Sequence, residues 1–201
     1  MEAVCPLVLA SASPRRRELL RQAGLDFRVA PSDNPEEGRL DGESPRAYAL
    51  RSAEAKAIEV SARRPEALVI AADTVVALGD RVLGKPCSTA DAVGMLGDLA
   101  GRTHLVHTGV VIAQAEKLVA RDVVTTEVTF RSLSADEIQA YVATGEPMDK
   151  AGAYGIQGRG GLLVSRINGC YFNVVGLPLS RTYELLSQAR AALGVSCGDG
   201  E

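Results

Sequence analysis

Ala67-Leu-Val-Ile-Ala-Ala-Asp-Thr-Val-Val-Ala-Leu78 is the most apolar strand-like run of the chain, and a carboxylate, Asp73, stands in the middle of it. The run falls short of the roughly 20 residues needed to span a bilayer, so it reads as a buried strand. Gly79-Asp80, with glycine first, suits a hairpin turn that returns through residues 81–84. Upstream, residues 7–10 form a short buried strand, and residues 14–24 a helix opened by Ser13 and Pro14 and closed by Gly24. A second short strand covers 27–30. The polar, acidic stretch 31–44 is a loop that leads into a long alanine-rich helix at 45–63, closed by Pro65. Downstream, residues 90–99 are helical with Ser88 or Thr89 as cap. Residues 103–113 and 119–130 are β-branched runs joined by 114–118, which predicts an antiparallel hairpin. Ser134 and Glu137 form a capping-box pattern that opens a helix over 134–144. A strand at 162–167, a turn at Asn168-Gly169 and a last helix at 179–193 complete the order. The pattern predicts one mixed α/β domain over residues 1–193, with residues 194–201 as a fraying tail.

Composition bounds the class. At 201 residues the chain can bury a sizeable core, with room for two lobes around a cleft. Its 46% hydrophobic and 23% charged residues are ordinary for a globular protein. A net charge of −3 argues against wholesale binding to nucleic acid or anionic membrane, so affinity for a polyanion has to come from locally placed cations. Cys5, Cys87, Cys170 and Cys197 stand far apart with no Cys-x-x-Cys, which disfavours structural zinc and suits a reducing cytoplasm. Glu2 precedes the first apolar run where a signal peptide has a basic leader.

Two segments are suited to anions. Leu9-Ala-Ser-Ala-Ser-Pro-Arg-Arg-Arg17 puts three arginines in the first helical turn, where the macrodipole repels cations by a few tenths to ~1 kcal/mol each. The placement makes sense if an anion binds there through free N–H groups, the hydroxyls of Ser11 or Ser13, and Arg15 and Arg16. Asp149-Lys-Ala-Gly-Ala-Tyr-Gly-Ile-Gln-Gly-Arg-Gly-Gly161 packs five glycines around Lys150 and Arg159, so its N–H groups can converge on an anion. Asp73 adds a third anomaly, because an ionised carboxylate inside an apolar strand has to meet a cation, a metal or an open end of the sheet. Lys56 on the long helix and Lys85 in Gly84-Lys-Pro86 are further cations.

Other chemistries are excluded by pattern. The chain has no P-loop, and residues 155–161 lack the preceding strand and Gly-x-Gly-x-x-Gly order of a dinucleotide site. It has no Gly-x-Ser-x-Gly elbow. His104 and His107, three apart on a strand, face opposite sides and read as structural rather than as co-ligands.

Five motifs together resemble the Maf family of nucleoside triphosphate pyrophosphatases: Leu9-Ala-Ser-Ala-Ser-Pro-Arg-Arg16, Ala72-Asp-Thr-Val-Val76, Gly84-Lys-Pro86, the Gly145-to-Gly158 run that begins Gly-Glu-Pro-Met-Asp-Lys, and Asn173-Val-Val-Gly-Leu-Pro178. They occur in order over nearly the whole chain. The resemblance implies a mixed twisted sheet flanked by helices, akin to the inosine triphosphate pyrophosphatases, with two lobes around a cleft. It implies hydrolysis of a nucleotide to its monophosphate and pyrophosphate. Arg15, Thr74 and Gln157 match the branch that acts on dTTP and UTP rather than the sister branch acting on 7-methyl-GTP. Relatives are also associated with arrest of cell division, so a nucleotide-binding regulator without turnover is the alternative.

By this resemblance Asp73 is the catalytic proton acceptor. Since a carboxylate with the ordinary aspartate pKa of about 3.9 is a weak base, a divalent metal is expected to help activate water. Mg2+ or Mn2+ suits oxygen ligands such as Asp73 and Glu36, with Glu37 as the alternative register in Asn34-Pro-Glu-Glu37. A triphosphate brings about four negative charges, which Arg15, Arg16, Lys56, Lys85 and Lys150 are suited to gather. Ser11, Ser13, Thr74 and Asp149 complete the expected substrate contacts, and the Gln157 amide, both donor and acceptor, suits a pyrimidine edge. A small-molecule nucleotide is the expected partner, with no nucleic acid or membrane, and a homodimer is compatible with the chain.

Overall fold

In the computed structural model, residues 5–34 and 37–194 are described. Strand β1 (Leu7–Leu9) is wholly buried and runs into helix α1 (Pro14–Gln22), whose first turn is fixed by Pro14 and by the Ser13 hydroxyl accepting from the Arg16 N–H. The helix ends two residues before the expected Gly24, which sits at φ +71° as the left-handed stop. A two-residue strand β2 (Arg28–Val29) follows, then helix α2 (Pro45–Arg63), capped by Ser44. Ala49, Ala53, Ala57 and Val60 recur at helical spacing and are fully buried, so α2 lays a stripe of small side chains on the sheet.

Strand β3 (Leu68–Leu78) and strand β4 (Arg81–Leu83) make the expected hairpin, and helix α3 (Thr89–Leu99) takes Ser88 as its cap. Strands β5 (Thr103–Gln114) and β6 (Lys117–Phe130) are longer than expected. Only Ala115 and Glu116 turn between them, both at positive φ (46° and 63°), where the sequence predicted a five-residue loop. Two positive φ values are what a tight hairpin needs to match the twist of its strands. Helix α4 (Ala135–Val142) carries the predicted reciprocal capping box between Ser134 and Glu137.

The glycine-rich run is less irregular than its composition suggests. It folds as three short 3-10 turns, Glu146–Asp149, Ala151–Ala153 and Arg159–Leu163, the last of which absorbs Leu162 and Leu163 from the predicted strand. Strand β7 (Val164–Asn168) is therefore displaced, and a five-residue helix α5 (Tyr171–Val175), not read from the sequence, precedes helix α6 (Leu179–Leu193).

The seven strands form one mixed sheet in the order β2-β1-β3-β5-β6-β7, with β4 also on β3. β1 is parallel to β2 and β3, and the other pairings are antiparallel. Side chains alternate across β3: Leu68, Ile70 and Ala72 join one core with β1, α1 and α6, while Val69 and Ala71 join another beneath α2. A third core, built on Val76, Val106, Val128 and Phe130, lies toward the other end of the same strands, under α3 and α4.

Candidate active site

Strand β3 opens the site by a gap along one of its edges. On one side it pairs with β5 from Val69 to Ala77, but on the other β1 covers only Leu68 to Ile70 and β4 only Val76 to Leu78. Among the described residues no strand covers residues 71–75 on that edge, and Asp73 and Thr74 lie in that interval.

Alternation along β3 puts Asp73 on the α2 side and Thr74 on the other. Lys56 of α2 donates to Asp73 Oδ1 at 2.5 Å, the two side chains being 14% and 16% exposed. The cation that a carboxylate in an apolar strand demands is therefore Lys56. α2 comes this close because Gly109, the register partner of Asp73 on β5, has no side chain: a Cβ there would lie 2.4 Å from the Ala49 carbonyl oxygen.

On the opposite side, the Thr74 hydroxyl meets Thr108 Oγ1 at 3.0 Å and accepts from Arg16 Nη2 at 3.1 Å. Arg16 also donates through Nε to the Gly176 carbonyl (2.8 Å) and through Nη1 to Ser11 Oγ (3.2 Å). The first-turn arginines thus divide. Arg16 is held by protein acceptors on three separate segments, and Arg15 reaches across to Asp149 Oδ2 at 3.4 Å. Arg17 points elsewhere, its Nε buried without a partner.

The glycine-rich run forms the facing wall. Lys150 donates to the Glu146 carbonyl (2.7 Å) and to Asp149 Oδ1 (2.5 Å). Burial pushes the Asp149 carboxyl up, but Lys150 and Arg15 beside it outweigh that and hold it below the usual carboxylate range. Arg159, expected to supply charge with Lys150, is exposed and does not line the cleft. The converging N–H groups exist, but the anion they bind is the chain's own: Arg159 and Gly160 donate to the Glu146 carboxylate.

These walls enclose a cleft of about 520 Å³. Ser11, Ser13, Arg15, Arg16, Lys56, Asp73, Thr74, Lys85, Asp149, Lys150 and Gln157 all line it. Glu36 lies outside the described residues. Its alternative, Glu37, is drawn to Arg51 at 3.1 Å and borders a small adjoining pocket shared with Lys56.

The sequence profile of Maf-like proteins matches residues 6–189. The chain belongs to the Maf family. This Maf protein is 56% identical over 184 residues to the dTTP/UTP pyrophosphatase of Moorella thermoacetica, covering 90% of this chain and 93% of that protein. It is 54% identical to the dTTP/UTP pyrophosphatase of Thermococcus onnurineus over 179 residues, 89% and 95% of the two chains. Among solved structures it is similar to a HAM1 protein from Coxiella burnetii, at a TM-score of 0.47 and 16% identity over 95% of this chain and 99% of that one.

Sequence reasoning missed several cleft residues of the Maf chain. Tyr48 stands two helical repeats before Lys56, on the same side of α2, a spacing that could have found it. Gly176 lies within a quoted motif and offers its carbonyl to Arg16 at a φ of +124°. Tyr154 is buried, bonded to His104 at 2.8 Å, and shows the cleft one edge. Both histidines are structural, His107 meeting Thr125 Oγ1 at 2.9 Å on the other face of β5. For a metal, the cleft offers the carboxylates of Asp73 and Asp149. Among the described residues no group of three or more His, Cys, Asp or Glu side chains could hold an ion by itself. No helix among them is long and apolar enough to cross a membrane.

Proposed function

We propose that this protein hydrolyses dTTP and UTP to the monophosphate and pyrophosphate. The observation that carries the reading is Asp73, held by Lys56 at the gap in the sheet, in a cleft lined by five cations and two carboxylates. That excess of positive charge suits a triphosphate, and the relatives named dTTP/UTP pyrophosphatases share the chain almost end to end.

In this reading Arg15, Lys85 and Lys150 gather the phosphates with Lys56, while Ser11, Ser13 and Arg16 shape the first strand-to-helix turn around them. Asp149 orients Lys150 and Arg15 toward the phosphate chain. Water attacks the α-phosphorus and gives its proton to Asp73. The bond from that phosphorus to the α–β bridging oxygen breaks, and pyrophosphate leaves on the lysines. Thr74 and Gln157 settle the choice of base, Gln157 through its amide.

A hard divalent ion fits the donor set, because Mg2+ or Mn2+ takes one or two carboxylates and completes its shell with water and substrate phosphates. Asp73 would hold it, with Glu36 as the second carboxylate. When bound it supplies charge neutralisation and lowers the pKa of water. Cys5, Cys87 and Cys170 are free thiols, which supports a reducing cytoplasm. Strands shared by all three cores support reading residues 1–193 as one domain.

A panel of nucleoside triphosphates with magnesium or manganese tests the reading. Pyrophosphate is expected much faster from dTTP and UTP than from ATP or GTP, and no release from any member of the panel would sink it.

A further inference from the structure

We infer that Glu146, together with Tyr141, is a positioning residue that sets nucleotide selectivity by folding the segment that carries Gln157 to the cleft. The inference rests on the reading of Gln157 as the contact to the base. Among the described residues neither Glu146 nor Tyr141 lines the cleft, so any influence they have passes through others.

Their contacts fall on both ends of that segment. Glu146 Oε1 accepts from the Tyr141 hydroxyl (2.9 Å) and from the Gly160 N–H (3.1 Å), and Oε2 accepts from the Arg159 N–H (3.1 Å). The Tyr141 hydroxyl in turn accepts from the Gly155 N–H at 3.2 Å. One carboxylate and one phenol therefore hold residue 155 and residues 159–160, leaving Ile156, Gln157 and Gly158 as the span between the anchors. The geometry is tight. A Cβ on Gly160 would fall 2.2 Å from the Gly155 carbonyl oxygen and 2.7 Å from the Tyr141 hydroxyl, and one on Gly158, at φ +86°, would fall 3.1 Å from Glu146 Oε2.

The residue types suit the task. An ionised carboxylate only accepts, with room for several donors on two oxygens, and bonds to it are stronger than neutral ones. An amide in its place would turn N–H groups toward the loop's own N–H donors. Glu146 serves the phosphate end as well, because its carbonyl accepts from Lys150. A single residue thus links the lysine expected on the phosphates to the amide expected on the base.

The full chain with Tyr141→Phe or Glu146→Gln tests this, using pyrophosphate release from UTP, dTTP and CTP together with amide hydrogen exchange. Tyr141→Phe is expected to lower the preference for UTP over CTP in kcat/KM about fivefold, and Glu146→Gln about tenfold or more, chiefly through KM. Exchange should quicken in residues 155–161 and stay unchanged in β3 and β5. Variants with the wild-type Tm that keep the UTP preference, or that lose all three activities equally through kcat, overturn the inference. If Glu146→Gln does not fold, Tyr141→Phe decides alone. A wild-type protein with no preference for dTTP and UTP overturns the functional reading itself, whereas a wild-type preference that survives in both variants overturns only the role of Glu146 and Tyr141.

Discussion

Lys56 Nζ lies 2.5 Å from Asp73 Oδ1, which ties the long helix α2 to the uncovered interval of β3. The pair gives the carboxylate a cationic partner within the strand, and both side chains line the cleft. Asp73→Asn keeps the shape and removes the carboxylate proposed as the proton acceptor. Turnover of UTP is expected to fall by about 10²- to 10⁴-fold, with nucleotide binding retained in calorimetry. Unchanged turnover would place the catalytic centre elsewhere.

Gly109 decides whether Lys56 can reach Asp73 at all. Because the Cβ of Gly109→Ala would press on the backbone of α2 at Ala49 and Leu50, rotamer changes cannot relieve it. The substitution is expected to cost about 1–3 kcal/mol in denaturant unfolding and to lower activity with it. Wild-type stability in Gly109→Ala would show that α2 does not rest on this glycine.

Arg15 and Arg16 are adjacent but are held differently. Arg16 uses Nε, Nη1 and Nη2 on Gly176, Ser11 and Thr74, a fork that an ammonium group lacks, whereas Arg15 has one long contact to a mostly exposed carboxylate. Arg16→Lys should therefore lose about 1–3 kcal/mol of stability, and Arg15→Lys less than ~0.5 kcal/mol. Equal losses in thermal unfolding would contradict the assignment of these contacts.

His104 gives the fold an acid-sensitive core. Burial lowers its pKa from 6.5 to about 4, and its Nδ1 is buried with no acceptor for a second proton. Burial and the Arg46 charge lower that of His107 too. As pH falls through 6.5 the unfolded chain takes up a proton at position 104 that the folded chain refuses until about pH 4. Stability should fall across that window, and His104 adds no further loss below it. Urea midpoints at a series of pH values check this, with His104→Gln expected to flatten part of the slope.

Much of the scaffold was legible because it is locally encoded. The β-branched runs, the Ser134–Glu137 capping box and the Ser13-Pro14 helix start each carry their own signal within a few residues. Asp73 stood out because a charge in an apolar run has few explanations. What escaped depends on contacts between distant segments. The α5 turn is too short to show a helical period, and the partner of the glycine-rich amides was misread because Glu146 comes near Gly160 only once the loop has folded. The same holds for the register of Asp73 against Gly109, which makes sense of a glycine within a strand.

The cleft lies between cores that share their longest strands. β3 gives Ile70 to one core and Val76 to another, β5 gives Ile112 and Val106, and β6 runs from Ala120 at the edge of the first to Phe130 in the second. The two cores beside the cleft are thus joined by three continuous strands and not by a loop. Asp73 therefore stands on the strand that ties the two cores together, so its position is set by the packing of both and not by a single loop.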